Sequence, residues 1–165
     1  MQGYAIRPVR EQDIPHLLAL IYELAEFEHL THLYENTPQR MNLALFGPQP
    51  AAEGLLVWPA DGNGRPVAFA LYYRNFSTFL GKPGLYLEDI YVQPASRSAG
   101  IGRALLEHIA RIAAERDCGR FEWAVLDWNT GAQQFYETLG ARVLPDWRIT
   151  RITGEALKRL AAGEA

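Results

Sequence analysis

Cysteine is almost missing from this sequence. Cys118 is the sole one among 165 residues, so no internal disulfide can form, and the chain reads as a product of a reducing cytoplasm. An excess of either charge is missing too. The 16 Lys and Arg nearly balance the 19 Asp and Glu, leaving a net charge of -3. A nucleic-acid or anionic-membrane partner therefore has no bulk electrostatic support. No apolar run approaches the roughly 20 residues of a membrane span, and the N-terminus lacks a signal-peptide core. There is no H-E-x-x-H pattern. His29 and His32 stand near Glu26, Glu28 and Glu35, which reads as a solvated helix end, and no metal is expected. Repeats, low-complexity tracts and linkers are also lacking.

What is present is enough for one sizeable core. The chain is 48% hydrophobic and 12% aromatic, far from a disordered composition, and its length suits a single domain over 1–165. Tyr4 to Val9 reads as a strand. A helix follows from Arg10, with Pro15 in its first turn and Leu17, Leu18, Ile21, Leu24 and Ala25 on its apolar face. Thr37-Pro38 starts a second helix and Gly47 stops it. Strands over Gly54–Trp58 and Val67–Tyr73 flank the turn signal Asp61-Gly62-Asn63-Gly64. Phe76 to Gly84 reads as a loop.

The stretch from Leu85 to Glu107 organises the rest. Leu85 to Val92 is an apolar strand interrupted by Glu88 and Asp89. Gln93-Pro94 ends it. Arg97-Ser98-Ala99-Gly100-Ile101-Gly102 then opens a helix with Leu105, Ile109 and Ile112 on one face. Unpaired amides at such a helix start make a site for a phosphate or pyrophosphate, and a plain strand-to-helix turn is the alternative. A third glycine of the dinucleotide fingerprint is missing, because Leu105 stands there. Beyond it come a strand over Phe121–Leu126, a helix capped by Asn129 and stopped by Gly140, strands over Arg142–Leu144 and Trp147–Ile152, and a short helix over Gly154–Leu160. This order predicts a mixed α/β sheet with helices on both faces.

The R-x-x-G-x-G of Arg97, Gly100 and Gly102 resembles the acetyl-CoA signature of the GNAT superfamily of N-acetyltransferases. Ile6-Arg7-Pro8, Glu23-Leu24-Ala25, Phe27-Glu28, Leu85-Tyr86-Leu87-Glu88-Asp89, Asn129, Phe135-Tyr136 and Gly140 extend the likeness along almost the whole chain. They are similar to the spermidine/spermine and thialysine acetyltransferase branch. The resemblance implies a mostly antiparallel central sheet with a bulged central strand. It implies acetyl-CoA gripped by Arg97, Ser98, Ala99, Gly100, Ile101, Gly102 and Arg103, with a second contact at Asn129, Thr130, Gly131 and Ala132. Amides near Ile90, Tyr91 and Val92 would polarise the acetyl carbonyl. Phe27, Glu28, Glu88, Asp89, Glu122, Trp123 and Ala124 match acceptor-binding positions.

The chemistry asks for two proton-handling groups. An alkylammonium with a pKa of about 10.4 cannot attack a thioester until it loses a proton. A carboxylate can bind the cation and help remove that proton, and the resemblance assigns this to Glu88, directly or through water. The leaving thiolate needs an acid, and Tyr136 fits the family position. On residues alone, Tyr136 would be a packing residue beside Phe135, Asn129 a helix cap and Glu28 an exposed carboxylate. Ser77 and Phe79 stand where polyamine-acetylating relatives tend to carry an aspartate and a tryptophan, so the expected acceptor site is less acidic here. The expected activity is acetyl transfer to a primary amine of a small aminoalkyl compound, polyamine or lysine-like, by direct attack in a ternary complex. The alternatives are a peptide or protein amine, or a non-catalytic CoA-binding module. Relatives imply a homodimer.

Overall fold

The structure is a computed structural model that describes residues 3–164. The chain divides into two compact units, 1–124 and 125–165. The first holds a five-stranded sheet in the order β1-β2-β3-β4-β5. Its strands are β1 (Tyr4–Pro8), β2 (Glu53–Pro59), β3 (Ala68–Ser77), β4 (Lys82–Val92) and β5 (Phe121–Trp123). The first four pair antiparallel, and β5 joins β4 in parallel. Helices α1 (Ile14–Phe27), α2 (Pro38–Phe46) and α3 (Ile101–Glu115) flank the sheet.

Alternation along the strands sorts their side chains into two faces. Leu56, Phe69, Leu71 and Tyr91 pack into one cluster with Ile14, Leu17, Leu20 and Leu24 of α1 and Met41 and Leu45 of α2. The intervening positions Leu55, Val57, Ala68, Ala70, Leu85 and Leu87 are buried as well, as expected of a sheet covered on both faces. Helix α3 buries Ile101, Leu105, Leu106, Ile109 and Ala113. Its C-terminal end is tied to the sheet by Arg116, whose guanidinium forms a forked ion pair with Glu53. The Nη2 arm donates at 2.7 Å, and Nη1 makes the second bond. Tyr72 donates its hydroxyl to the same carboxylate at 3.3 Å.

Four sequence expectations need correcting. Phe76 to Gly84 is not a loop: β3 and β4 run on as a hairpin to Ser77 and Lys82, turning through Thr78 to Gly81. Gly81 turns the chain with a φ of +63°. Gly84 is needed inside the strand, because a Cβ there would collide with Asn75 Oδ1 across the ladder. Arg142–Leu144 and Trp147–Ile152 are not strands, and β5 stops at Trp123 rather than Leu126.

The second unit contains α4 (Thr130–Glu137) and α5 (Gly154–Ala161) joined by irregular chain. Many of its large apolar side chains are exposed, with Trp147 at 74% and Ile149 at 71%. Strand propensity without a partner ladder leaves such a segment unpaired. No helix among the described residues is long and apolar enough to cross a membrane.

Candidate active site

The pairing of β3 with β4 slips once. Leu71 is opposite Asp89, but Tyr72 is opposite Leu87, so Glu88 has no cross-strand partner. This is the bulge expected of the central strand, and it resets which residues face which side. Past the bulge, Asp89 and Tyr91 lie on the face that α1 covers, as their partners Leu71 and Phe69 do. Before the bulge that face belongs to Tyr86, which is opposite Tyr73. Were residue 88 part of the ladder, Tyr86 and Asp89 would lie on opposite faces; its exclusion keeps Tyr86, Asp89 and Tyr91 together.

That face gathers carboxylates. Glu28 caps the C-terminus of α1, and burial raises its pKa. Asp89 is half-buried, and its pKa rises from 3.8 to about 6. Burial is the main cause, followed by the nearby charges of Glu88 and Glu28. Glu88 itself is exposed at the bulge. Asp89 lies within electrostatic reach of both other carboxylates, a setting that favours a bound cation, and a group that titrates near neutrality can accept a proton. The sequence reading placed the proton-accepting role on Glu88 and only binding on Asp89. Burial, which strand alternation does not supply, makes Asp89 a second candidate for that role.

The end of β4 leads to the glycine loop. Beyond Leu87, opposite Trp123, the short β5 no longer pairs with β4. Ile90, Tyr91 and Val92 therefore ladder only with β3 among the described residues. An extended ligand chain can use such a strand edge. Arg97 Nε donates to the Val92 carbonyl at 3.1 Å. Its guanidinium lies 5.0 Å from the Phe27 ring centre and 6.0 Å from that of Tyr91. Arg97 thus spans the expected coenzyme loop and the acceptor-side aromatic Phe27. Glu23 receives Gln93 Nε2 at 2.9 and 3.1 Å and holds this end of the strand to α1.

Ser98 and Gly100 both turn left-handed, at φ values of +66° and +76°. The twist delivers the chain into α3 at Ile101, and no side chain caps the helix start. Gly100 is demanded by this φ rather than by crowding, since a Cβ there would meet nothing within 4 Å. Uncapped amides beside Arg97 and Arg103 fit a pyrophosphate, so the loop residues Arg97 to Arg103 suit the coenzyme that the motif implies. Arg103 also approaches Glu107 at 3.7 Å, one turn along.

On β5, Glu122 Oε1 accepts Asn75 Nδ2 at 2.7 Å and lies 3.2 Å from Arg120 Nη2. Trp123 packs near Phe121 at 5.0 Å between ring centres. Ala124 is exposed just past the strand. In the second unit, Asn129 caps α4 by accepting from the Ala132 amide at 3.2 Å. Thr130, Gly131 and Ala132 form the first turn of that helix. Tyr136 lies two turns beyond Asn129 on the same side, with Phe135 at 5.5 Å. Among the described residues, no group of three or more His, Cys, Asp or Glu side chains is arranged to hold a metal ion.

Comparisons with known proteins agree with this geometry. The model of the acetyltransferase (GNAT) family matches residues 17–141. A thialysine N-epsilon-acetyltransferase of Sus scrofa is 38% identical, covering 98% of this chain and 99% of its own length. An L-ornithine N5-acetyltransferase of Arabidopsis thaliana is 30% identical, covering 94% of this chain and 86% of its own. Among solved structures, an integron cassette protein from the mobile metagenome of V. cholerae superposes with a TM-score of 0.79. It is 24% identical and covers 98% of this chain and 99% of its own, a likeness of fold. With the bulged strand, the left-handed glycine loop and a family match over most of its length, this chain belongs to the GNAT family and is an acetyltransferase.

Proposed function

We propose that the protein moves acetyl from acetyl-CoA to a primary amine of a small aminoalkyl acceptor, polyamine or lysine-like, within a ternary complex. The observation that carries this reading is the gathering of Glu28 and Glu88 about Asp89, which titrates near 6. A single carboxylate would suffice for a neutral acceptor's orientation. Three of them suit an acceptor that arrives as a cation. The names of the pig and plant relatives, acting on thialysine and ornithine, favour the same class.

The coenzyme supplies the acetyl group as a thioester. Arg97 to Arg103 would hold its pyrophosphate, with Asn129 to Ala132 as the second contact and the Ile90 to Val92 amides near its acetyl group. Glu28 and Glu88 attract the ammonium, and Asp89 with Glu88 takes its proton as the amine nitrogen becomes nucleophilic. Phe27, Trp123 and Ala124 would border the acceptor's aliphatic part. The Tyr136 hydroxyl is assigned the proton that the departing sulfur needs. Both units would act as one domain over 1–165, since the family match runs from 17 to 141 and crosses their boundary. A homodimer in the cytoplasm is the proposed state, supported by the exposed Val143, Leu144, Trp147 and Ile149.

A turnover screen with acetyl-CoA over alkylamines, arylamines and peptides tests the reading. Cationic alkylamines should react fastest, with acetylated product seen by mass spectrometry. Fast acetylation of peptides alone would move the assignment to a protein amine. Coenzyme binding without any turnover would leave a non-catalytic module.

A further inference from the structure

Arg97 is held more firmly than its place on an exposed loop requires. Its Nε donates to the Val92 carbonyl at 3.1 Å, five residues back along the chain. Its guanidinium lies over two rings, 5.0 Å from the centre of Phe27 and 6.0 Å from that of Tyr91. Both distances suit a cation–π contact, which draws on the charge and uses no N–H donor. Among the described residues, no carboxylate forms an ion pair with Arg97. The Nη groups of the fork therefore keep their donors for an anion, beside the uncapped start of α3.

The two rings are anchored differently. Tyr91 belongs to the buried core and packs 6.5 Å from the ring centre of Phe69. Burial first, and then the charge of Glu23, hold its hydroxyl neutral. It is a fixed platform under the guanidinium. Phe27 is the last residue of α1 and stands outside the cluster that seats that helix on the sheet. It is 37% exposed, so packing of the core does not account for an aromatic there. Its ring closes the stack from the helix side.

We propose that Phe27 is a positioning residue for the coenzyme: with Tyr91 it clamps Arg97 in the orientation that receives the pyrophosphate. This rests on the reading of Arg97 to Arg103 as the coenzyme loop. The family position gives Phe27 to the acceptor, and the stack gives it an effect on the other substrate, before any amine arrives. A free arginine side chain loses much rotamer freedom when it grips an anion. The Val92 carbonyl and the two rings impose that loss on folding instead. The guanidinium then meets the coenzyme already in place, and the preorganisation appears as affinity.

Calorimetry with CoA on the full chain, with no amine present, tests this. Phe27→Leu keeps an apolar side chain and a good helix former but removes the ring. It should weaken CoA binding by about three- to tenfold, the worth of a cation–π contact. Phe27→Tyr keeps the ring and should bind as the wild type does. Arg97→Gln should weaken binding further, and Phe27→Leu added to it should cost nothing more, because the ring acts through the guanidinium. Unchanged CoA affinity in Phe27→Leu would overturn the proposal and leave Phe27 to the acceptor alone. An equal loss in both Arg97 backgrounds would overturn it as well, since a general disturbance of the fold does not depend on Arg97. So would a loss in Phe27→Tyr as large as in Phe27→Leu. A wild-type chain that binds no CoA would instead remove the coenzyme reading, and this role with it.

Discussion

Asp89→Asn should make the protein more stable and less active. The rise in the Asp89 pKa from 3.8 to about 6 means that the folded chain disfavours the charged form. At 1.36 kcal/mol per pH unit, that amounts to about 3 kcal/mol as a ceiling. The sign follows from proton linkage. Below pH 3.8 the group is protonated in both states and costs nothing. Between 3.8 and about 6 the unfolded chain ionises first, so stability falls as pH rises. Above about 6 the penalty is complete. Asparagine has the same shape and no charge, so it removes the penalty. At pH 7.5 the variant should gain about 1–3 kcal/mol, which for a chain of this size is several degrees of melting temperature at about 2–4 °C per kcal/mol. Most of the gain should be gone by pH 4. Acetyl transfer should meanwhile fall by about 10²-fold or more, as for loss of a general base. Urea or thermal unfolding at pH 4, 6 and 7.5, beside kcat, checks both halves. A variant that is less stable at neutral pH, or whose gain is the same at pH 4 and 7.5, would refute the reasoning.

Other outcomes are expected elsewhere. Tyr136→Phe should lower kcat by about 10²-fold with coenzyme affinity and melting temperature retained; unchanged turnover would make Tyr136 a packing residue. Gly100→Asp should abolish measurable CoA binding by calorimetry, while Gly100→Ala should lose only stability, by about 1–2 kcal/mol for the left-handed φ. Equal CoA affinity in the aspartate variant would take the loop out of the site. Burial and partner bonds act oppositely at Glu53, whose pKa is lowered chiefly by its hydrogen bond from Arg116. That contribution is present above pH 4.5 and is lost as pH falls through the folded value. Arg116→Met should therefore weaken the fold at pH 7 and flatten its loss of stability on acidification, measured by denaturant titration across pH.

Much of the fold was legible because its signals are local. The Thr37-Pro38 helix start is a cap with its hydroxyl accepting the Arg40 amide at 3.2 Å, and the apolar spacing of α1 and α3 matches their buried faces. The hairpin over Phe76 to Gly84 was hidden by Gly81 and Pro83, which read as loop punctuation. Only the ladder shows that Pro83 lies opposite Phe76 in a regular position. The strands expected at Arg142–Leu144 and Trp147–Ile152 failed for the converse reason: alternation encodes a willingness to pair, and pairing needs a second strand. At the site, Glu88 and Asp89 stood out as charges in an apolar run. The shared facing of Tyr86 and Asp89 did not, since it depends on the slip in the ladder.

The bulge at Glu88 adds a carboxylate to the strand without turning the residues on either side of it. Any substitution at 88 preserves the count of residues, and with it the facing of Tyr86 on one side of the slip and Asp89 on the other. Deleting residue 88 would repair the ladder and restore an ideal strand. Leu87 and Asp89 would then be neighbours on the opposite faces they already hold, so Tyr86, Asp89 and Tyr91 would keep their side. A chain lacking residue 88 should therefore fold with its sheet intact and lose acetyl transfer along with the Glu88 carboxylate, which a melting curve beside a turnover assay would show.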